Sequence, residues 1–147
     1  MRLTFTKRAG KYDELVIERN GRIADPIACA KQGIIPHDMV HYAVESSLKH
    51  RGFLGMIADG SDPAFTTRGG QREEAVERLV ETFQAEMWGG RVPANELLAV
   101  YEHACAAHGH VAVPVIEQDI EAIRARLDQL SEEWAGVGEN QSITLEM

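Results

Sequence analysis

The sequence of 147 residues has little cysteine and no long apolar run. Its two cysteines, Cys29 and Cys105, form no Cys-x-x-Cys pair, which excludes a disulfide scaffold and indicates reduced thiols. No stretch approaches the roughly 18 apolar residues of a membrane-spanning helix. The first residues also lack the apolar stretch of a signal peptide. These absences together predict a cytoplasmic protein.

Basic residues are few relative to acidic ones. Lys and Arg number 15 against 23 Asp and Glu, which gives a formal net charge of −8. Phosphate backbones and anionic lipids repel such a chain, so we expect neither nucleic acid nor a membrane as its partner. The rest of the composition is globular, with 44% hydrophobic and 26% charged residues. At this length, we expect a single domain over residues 1–147.

Alternating apolar residues predict strands near both ends of the chain. The predicted strands cover residues 3–6, 12–19, 22–24 and 142–146. Between the second and third lies Asn20-Gly21, the preferred pair of a type I′ hairpin, in which both central residues adopt positive φ. We expect the third strand to end near Asp25-Pro26, because proline cannot donate to the sheet.

Apolar residues at helical spacing predict four helices between these strands. Proline fits the first turn of a helix and glycine fits its end, which helps to set the boundaries. The predicted helices cover Pro36–Arg51, Gln71–Trp88, Pro93–Gly109 and Val115–Trp134. We therefore predict an α+β fold, in which a small antiparallel sheet of N-terminal and C-terminal strands has about four helices packed on one face.

The fourth predicted helix carries a continuous apolar seam, in steps of four and three as in a coiled coil. The seam consists of Ile116, Ile120, Ile123, Leu127, Leu130 and Trp134. Such a seam packs either inside the domain or against a second copy of the chain, so a homodimer is an open alternative. In the second case the protein is an interaction or structural module.

Two histidines and a glutamate line one side of the first predicted helix. Since each residue of a helix advances by about 100°, His37, His41 and Glu45 lie on successive turns within about 80° of one another. Two imidazoles at this spacing can bind one divalent ion, and a carboxylate one turn further can join them. The stripe therefore predicts a site for zinc or another divalent transition metal, with Asp38 beside it as the candidate catalytic residue.

A further ligand can come from another helix. His108 continues the apolar face of the third predicted helix, so we expect it to point inward, either as a hydrogen-bonded core residue or as the candidate outside ligand. Its place beside Gly109 also suits the dipole at a helix end. Three protein ligands and a water make an open site, and open zinc sites support hydrolysis near neutral pH. No residue indicates a substrate class.

The same stripe also fits roles without a metal. Polar residues at the edge of a buried face can form a closed hydrogen-bond network, in which Glu45 accepts from His41 and holds the helix against the core. Metal-free acid–base chemistry is a third alternative. The sequence thus leaves open whether the protein is an enzyme or a non-catalytic structural or interaction module.

Two other features favour structural interpretations. Glu73, Glu74, Glu77 and Glu81 on the second predicted helix could form a carboxylate metal site, but we expect them to form a solvated face. The segment from Gly52 to Gly60 is rich in glycine but apolar, and it lacks the Gly-Lys-Ser/Thr ending of a phosphate-binding loop.

The residues around the stripe resemble those of an uncharacterised group of small bacterial proteins. The shared segment reads His37-Asp38-x-x-His41-Tyr42-x-Val44-Glu45, followed by Gly52-Phe53-x-Gly55-x-x-Ala58-x-Gly60. The resemblance implies kinship with that group, for which no activity is established, and it therefore implies no mechanism.

Overall fold

A five-stranded antiparallel sheet is present in the computed structural model, which describes residues 1–48, 52–60 and 70–147. The strands are β1 (Arg2–Thr6), β2 (Tyr12–Arg19), β3 (Arg22–Ile23), β4 (Ile27–Ala30) and β5 (Ser142–Glu146). β1 lies between β2 and β5, and the other edge of β2 pairs first with β3 and then with β4. The predicted sheet of N-terminal and C-terminal strands is therefore confirmed.

The predicted hairpin lies between β2 and β3. Asn20 and Gly21 have φ values of 50° and 73°, as a type I′ turn requires. The sequence analysis missed β4, which begins directly after Pro26 and pairs with β2 from Tyr12 to Leu15. Its residues, Ile-Ala-Cys-Ala, carry too few large apolar side chains to show alternation, so only the pairing with β2 identifies the strand.

Five helices are present in the described residues, one more than the four predicted. They are α1 (His37–Leu48), α2 (Phe53–Ala58), α3 (Gln71–Gly89), α4 (Ala94–Ala107) and α5 (Glu117–Ala135). The additional helix, α2, lies in the glycine-rich segment. The predicted end of the first helix at Arg51 lies outside the described residues. No described helix combines the length and the apolar character that crossing a membrane requires.

The sheet buries one face under the helices, as the α+β prediction requires. Leu3 of β1 is paired with Ile17 of β2 and with Leu145 of β5, and these three side chains are buried. α1 contacts strand β4 of the sheet and the two long helices α3 and α5. Polar side chains on α1 are therefore enclosed by neighbouring elements along most of the helix.

The apolar seam of α5 is buried within this chain from Ile120 to Trp134, whereas Ile116 before the helix is exposed. The seam thus packs mostly inside the domain, and the homodimer stays a prediction.

A buried ion pair joins α3 to α5. The guanidinium of Arg124 donates to both carboxylate oxygens of Glu86, and both side chains are buried. Arg124 also donates to the backbone carbonyl of Val92 at 2.7 Å. Because a buried charge without its partner is strongly unfavourable, this pair holds the two helices together at this point.

We expect the substitution Glu86→Leu to lower the free energy of unfolding by about 3 kcal/mol. It removes the buried carboxylate that pairs with Arg124, whose other carboxylate partner, Glu121, is exposed. Urea unfolding followed by circular dichroism measures this loss. The matched control is Asp128→Ala, which breaks the exposed pair between Asp128 and Arg91 and costs less than about 1 kcal/mol. Equal losses in the two variants would contradict this account of α3 and α5.

Candidate metal centre

The predicted stripe lies on α1 and becomes more buried along the helix. The exposed fraction of the side chain falls from 31% at His37 to 5% at His41 and 0% at Glu45. His37, the first residue of α1, therefore lies at the protein surface, and Glu45 lies in the interior.

The carboxylate of Glu45 is occupied by hydrogen bonds within the protein. Its Oε1 accepts the backbone N–H groups of Gly52 and Gly55, each at 2.9 Å. Its Oε2 accepts the backbone N–H of Leu54 and the Nδ1–H of His41, each at 3.2 Å. Glu45 thus caps the start of α2, which has no side-chain cap of its own, and orients His41. Glu45, the predicted third ligand, therefore lies behind His41 and supports its imidazole ring.

The same contacts explain the glycine at position 52. A Cβ atom there would lie 2.5 Å from Cδ of Glu45 and 2.8 Å from Cγ1 of Val76. Any other residue would therefore displace the buried carboxylate. The residues around His41 and those around Gly52 therefore form one structural unit.

A carboxylate from α3 lies beside the two histidines. Oε2 of Glu77 is 2.8 Å from Nε2 of His41, and Oε1 is 3.4 Å from Nε2 of His37. One potential ligand atom from each of the three residues lies within 4.8 Å of the other two. These three residues could hold a metal ion, and we call them the His37–His41–Glu77 group.

The position of Glu77 differs from the one that the sequence predicts. The expected solvated face is wrong for this residue, whose side chain is only 15% exposed. At about 100° per residue, Glu77 lies about 60° from Val80, at the border of the apolar face of α3. Glu73, about 20° from Val80, lies even closer to that face, and Glu81 lies about 100° from Val80, so helical spacing does not single out Glu77.

The contact between Glu77 and His41 is short but lacks hydrogen-bond alignment. Oε2 of Glu77 is buried and has no hydrogen-bond donor among the described residues, although Nε2 of His41 is 2.8 Å away. Ligand atoms around a metal face a common point rather than each other, so this misalignment suits a metal site. The hydrogen bond from Nδ1 to Glu45 leaves Nε2 of His41 on the side of Glu77, as in carboxylate–histidine–metal triads.

The two carboxylates determine the charge of His41. Burial lowers the pKa of His41, but the hydrogen bond to Glu45 and the contact with Glu77 outweigh burial and raise the pKa to about 10. Burial raises the pKa of Glu77, but its contacts with His37 and His41 outweigh burial and hold the pKa below its usual range. The surroundings therefore favour a positive charge at Nε2 of His41, which a proton or a divalent ion can supply.

An open cleft of about 410 Å³ leads to the group, and we call it the α1–α3 cleft. Its lining comprises His37, Asp38, His41, Phe53, Glu74, Glu77 and Arg78. Asp38, the predicted catalytic candidate, thus lies in the same cleft as the three residues. Its Oδ2 accepts the thiol of Cys29 at 3.3 Å. Burial and the Asp38 carboxylate raise the pKa of Cys29, so this thiol stays protonated.

His108 lies apart from the group, at the exposed end of α4. Its Nδ1–H donates to the carbonyl of Ala104 at 2.8 Å, and its ring stacks on that of His110 with centroids 6.0 Å apart. The expectation that His108 points inward is wrong, because the helix ends there and the side chain turns back along it. The structure therefore does not bring this candidate ligand to His37 and His41.

No protein-family model matches the chain, and neither curated proteins nor solved structures show a significant similarity to it. The resemblance to the small bacterial proteins stays a prediction. A function for this chain therefore depends on the chemistry of the site.

We expect Gly52→Ala to lower the free energy of unfolding by about 2 kcal/mol, because the new Cβ displaces the Glu45 carboxylate from buried donors. Chemical unfolding measures the loss. The matched control is Gly89→Ala, since a Cβ at Gly89 meets no atom within 4 Å and alanine favours the end of α3. If Gly52→Ala is as stable as Gly89→Ala, Glu45 does not hold α2 in the way described.

Proposed function

We propose that His37, His41 and Glu77 bind one divalent transition-metal ion, with zinc as the first candidate, and that the site serves hydrolysis. The observation that carries the proposal is the buried Oε2 of Glu77, which lies 2.8 Å from Nε2 of His41 without a hydrogen bond. Two imidazole nitrogens and one carboxylate oxygen are ligands that zinc accepts readily.

The spacing of the ligand atoms supports a tetrahedral site. With bonds of about 2 Å, a tetrahedral ion holds its ligand atoms about 3.3 Å apart. The separation of Oε2 of Glu77 from Nε2 of His41, at 2.8 Å, lies close to that value, and the other oxygen of this carboxylate, Oε1, is 3.4 Å from Nε2 of His37. The largest separation within the group is at most 4.8 Å, which side-chain rotation at the partly exposed His37 can reduce.

The position of Glu45 also supports the proposal. A histidine ligand that donates its other N–H to a carboxylate has a fixed ring and a more basic ligating nitrogen. His41 has such a partner in Glu45, which is itself held by the backbone of α2. The α2 segment therefore stabilises the ring orientation of His41 that metal binding requires.

The α1–α3 cleft supports the assignment of hydrolysis. Three protein ligands leave a coordination position open, and Asp38 lines the cleft into which the position opens. When bound, a zinc ion in such a site lowers the pKa of coordinated water enough for hydrolysis near neutral pH. We assign Asp38 as the proton acceptor, because it lines the same cleft as the three ligands.

A metal-free network is the second candidate, and the hydrogen bonds of Glu45 favour it. Glu45 joins His41 to the backbone of α2 without any ion. Between two carboxylates, a protonated His41 satisfies the charge balance of the interior. In that case the group holds α1 against α3, and the protein is a structural or interaction module.

Metal analysis separates the two candidates. We expect purified, untagged protein to bind about one zinc ion per chain and to melt at a higher temperature with zinc, because only the folded state holds the ligand set. His37→Ala and Glu77→Gln should each weaken zinc binding by at least about tenfold. The matched control Glu81→Gln lies one turn further along α3 with a half-exposed side chain, and it should bind normally, as should His108→Ala.

Substoichiometric metal that does not increase with zinc, manganese or iron(II), together with an unchanged melting temperature, would favour the metal-free network. Tight binding that survives Glu77→Gln and is lost in His108→Ala would contradict the assigned ligands.

The hydrolytic part of the proposal has its own test. We expect zinc-loaded protein to accelerate hydrolysis of 4-nitrophenyl acetate, and Asp38→Asn to reduce this rate by about 100-fold while zinc stoichiometry stays unchanged. The rate is measured before and after removal of zinc by a chelator. A rate that does not depend on zinc or on Asp38 would contradict hydrolysis at this site and leave the metal assignment in place.

A further inference from the structure

Strand β5 forms an edge of the sheet, because it pairs with β1 on one side and with no strand of the described residues on the other. In an antiparallel pair, residues that exchange backbone hydrogen bonds with the partner strand alternate with residues whose N–H and C=O groups point away from it. Met147 donates to the carbonyl of Met1 at 2.8 Å, and Lys7 donates to that of Gln141 at 3.0 Å, which fixes this alternation. The odd-numbered residues of β5 therefore bond to β1, and the even-numbered residues direct their backbone groups outward.

The outward backbone groups form a short row along the edge, from Ser142 through Thr144 to Glu146, and all three residues are exposed. Within the described parts of the chain, the only one of these groups with a partner is the carbonyl of Glu146, which accepts the hydroxyl of Tyr42 at 3.1 Å. Proteins usually protect a free sheet edge with proline, lysine or a bulge. β5 has no proline or lysine, and its register with β1 is continuous over all five residues, so the edge is open to another strand.

The backbone of this edge is complementary to itself. When a second copy of β5 lies antiparallel with Thr144 opposite Thr144, Ser142 of each copy lies opposite Glu146 of the other. All three outward residues of both strands are then paired, and the carbonyl of Glu146 has a second lone pair for the new donor. A shift by two residues, the smallest that keeps outward groups opposite each other, leaves one of the three without a strand residue opposite. The register centred on Thr144 therefore makes the most hydrogen bonds.

The side chains favour the same register. Glu146, the one charged residue of β5, lies opposite Ser142 of the other copy, so no like charges face each other. Arg2 also donates to the Glu146 carboxylate at 2.8 Å and offsets its charge within each copy. On the face toward the helices, the half-buried Ile143 lies opposite Leu145 of the other copy and gains an apolar neighbour. The net charge of the chain is therefore not concentrated along this edge.

We propose that two copies of this chain pair through β5 around a two-fold axis at Thr144, which joins their two sheets into one. A second copy fits this edge better than an unrelated strand does, because the backbone and the charges of β5 are complementary to themselves. The surface differs from the apolar seam of α5, which is mostly buried within one chain. Only three outward residues from each strand take part, so we expect a weak, reversible dimer.

The proposal is independent of the proposed function. None of His37, His41 and Glu77 lies on β5, since two of them belong to α1 and one to α3. The dimer is therefore tested in metal-free protein, and its failure leaves the metal assignment in place.

Amide hydrogen exchange, followed by nuclear magnetic resonance at increasing protein concentration, tests the pairing directly. In the monomer, we expect fast exchange at the outward amides of Ser142, Thr144 and Glu146 and slow exchange at the paired amides of Ile143 and Leu145. Between about 20 μM and about 1 mM protein, the outward amides should slow by at least about threefold while sedimentation velocity shows a dimer. A chain that stays a monomer at about 1 mM, or a dimer whose Thr144 amide exchanges as in the monomer, would overturn the proposal.

Charge variants at position 144 test the two-fold axis. Thr144→Lys and Thr144→Glu each place like charges opposite each other, so each variant alone should dimerise at least about fivefold more weakly than the unchanged chain. An equimolar mixture places opposite charges across the axis and should dimerise more tightly than either variant alone.

Ala28→Lys is the matched control, because Ala28 is an exposed residue of the same sheet on β4, away from the β5 edge. It should dimerise as the unchanged chain does, and circular dichroism verifies that all three variants are folded. A mixture that is no tighter than its components, or equal weakening by Ala28→Lys, would overturn the proposal.

Discussion

A fully buried carboxylate destabilises a fold unless donors surround its oxygens, and Glu45 meets this condition with four N–H groups. Three of the donors belong to the backbone at the start of α2, and the fourth is the ring of His41. One side chain therefore joins a short helix to α1 and fixes the imidazole that faces Glu77. The same contact explains the glycine at position 52, because no Cβ atom fits beside the carboxylate.

Much of the fold could be predicted from periodicity and turn residues. The Asn20-Gly21 hairpin, the last strand and the long helices depend on local patterns, and the structure confirms them. β4 and α2 could not be predicted, because each depends on a contact with another element of the fold. β4 is a strand only through its pairing with β2, and the short α2 is capped by Glu45 of another helix.

Like the fold, the candidate site could be predicted only in part. Helical spacing correctly placed His37, His41 and Glu45 along one side of α1. It could not distinguish a residue that faces the cleft from one that faces the interior, which is why Glu45 supports His41 from behind while Glu77 lies in front of it. The position of Glu77 could be predicted only from how α1 and α3 pack together. The position of His108 could be predicted only from where α4 ends. Spacing within one helix defines a stripe, but contacts between helices determine its chemistry.

The central claim is that His37, His41 and Glu77 converge on one metal ion. Anomalous diffraction from a crystal grown with zinc, recorded on both sides of the zinc absorption edge, tests this claim most directly. The account predicts one strong peak within about 2.2 Å of a ring nitrogen of His37, Nε2 of His41 and a carboxylate oxygen of Glu77. A zinc peak at His108 and His110 with none at this group, or Nε2 of His41 in linear hydrogen-bond contact with Glu77 at saturating zinc, would contradict it.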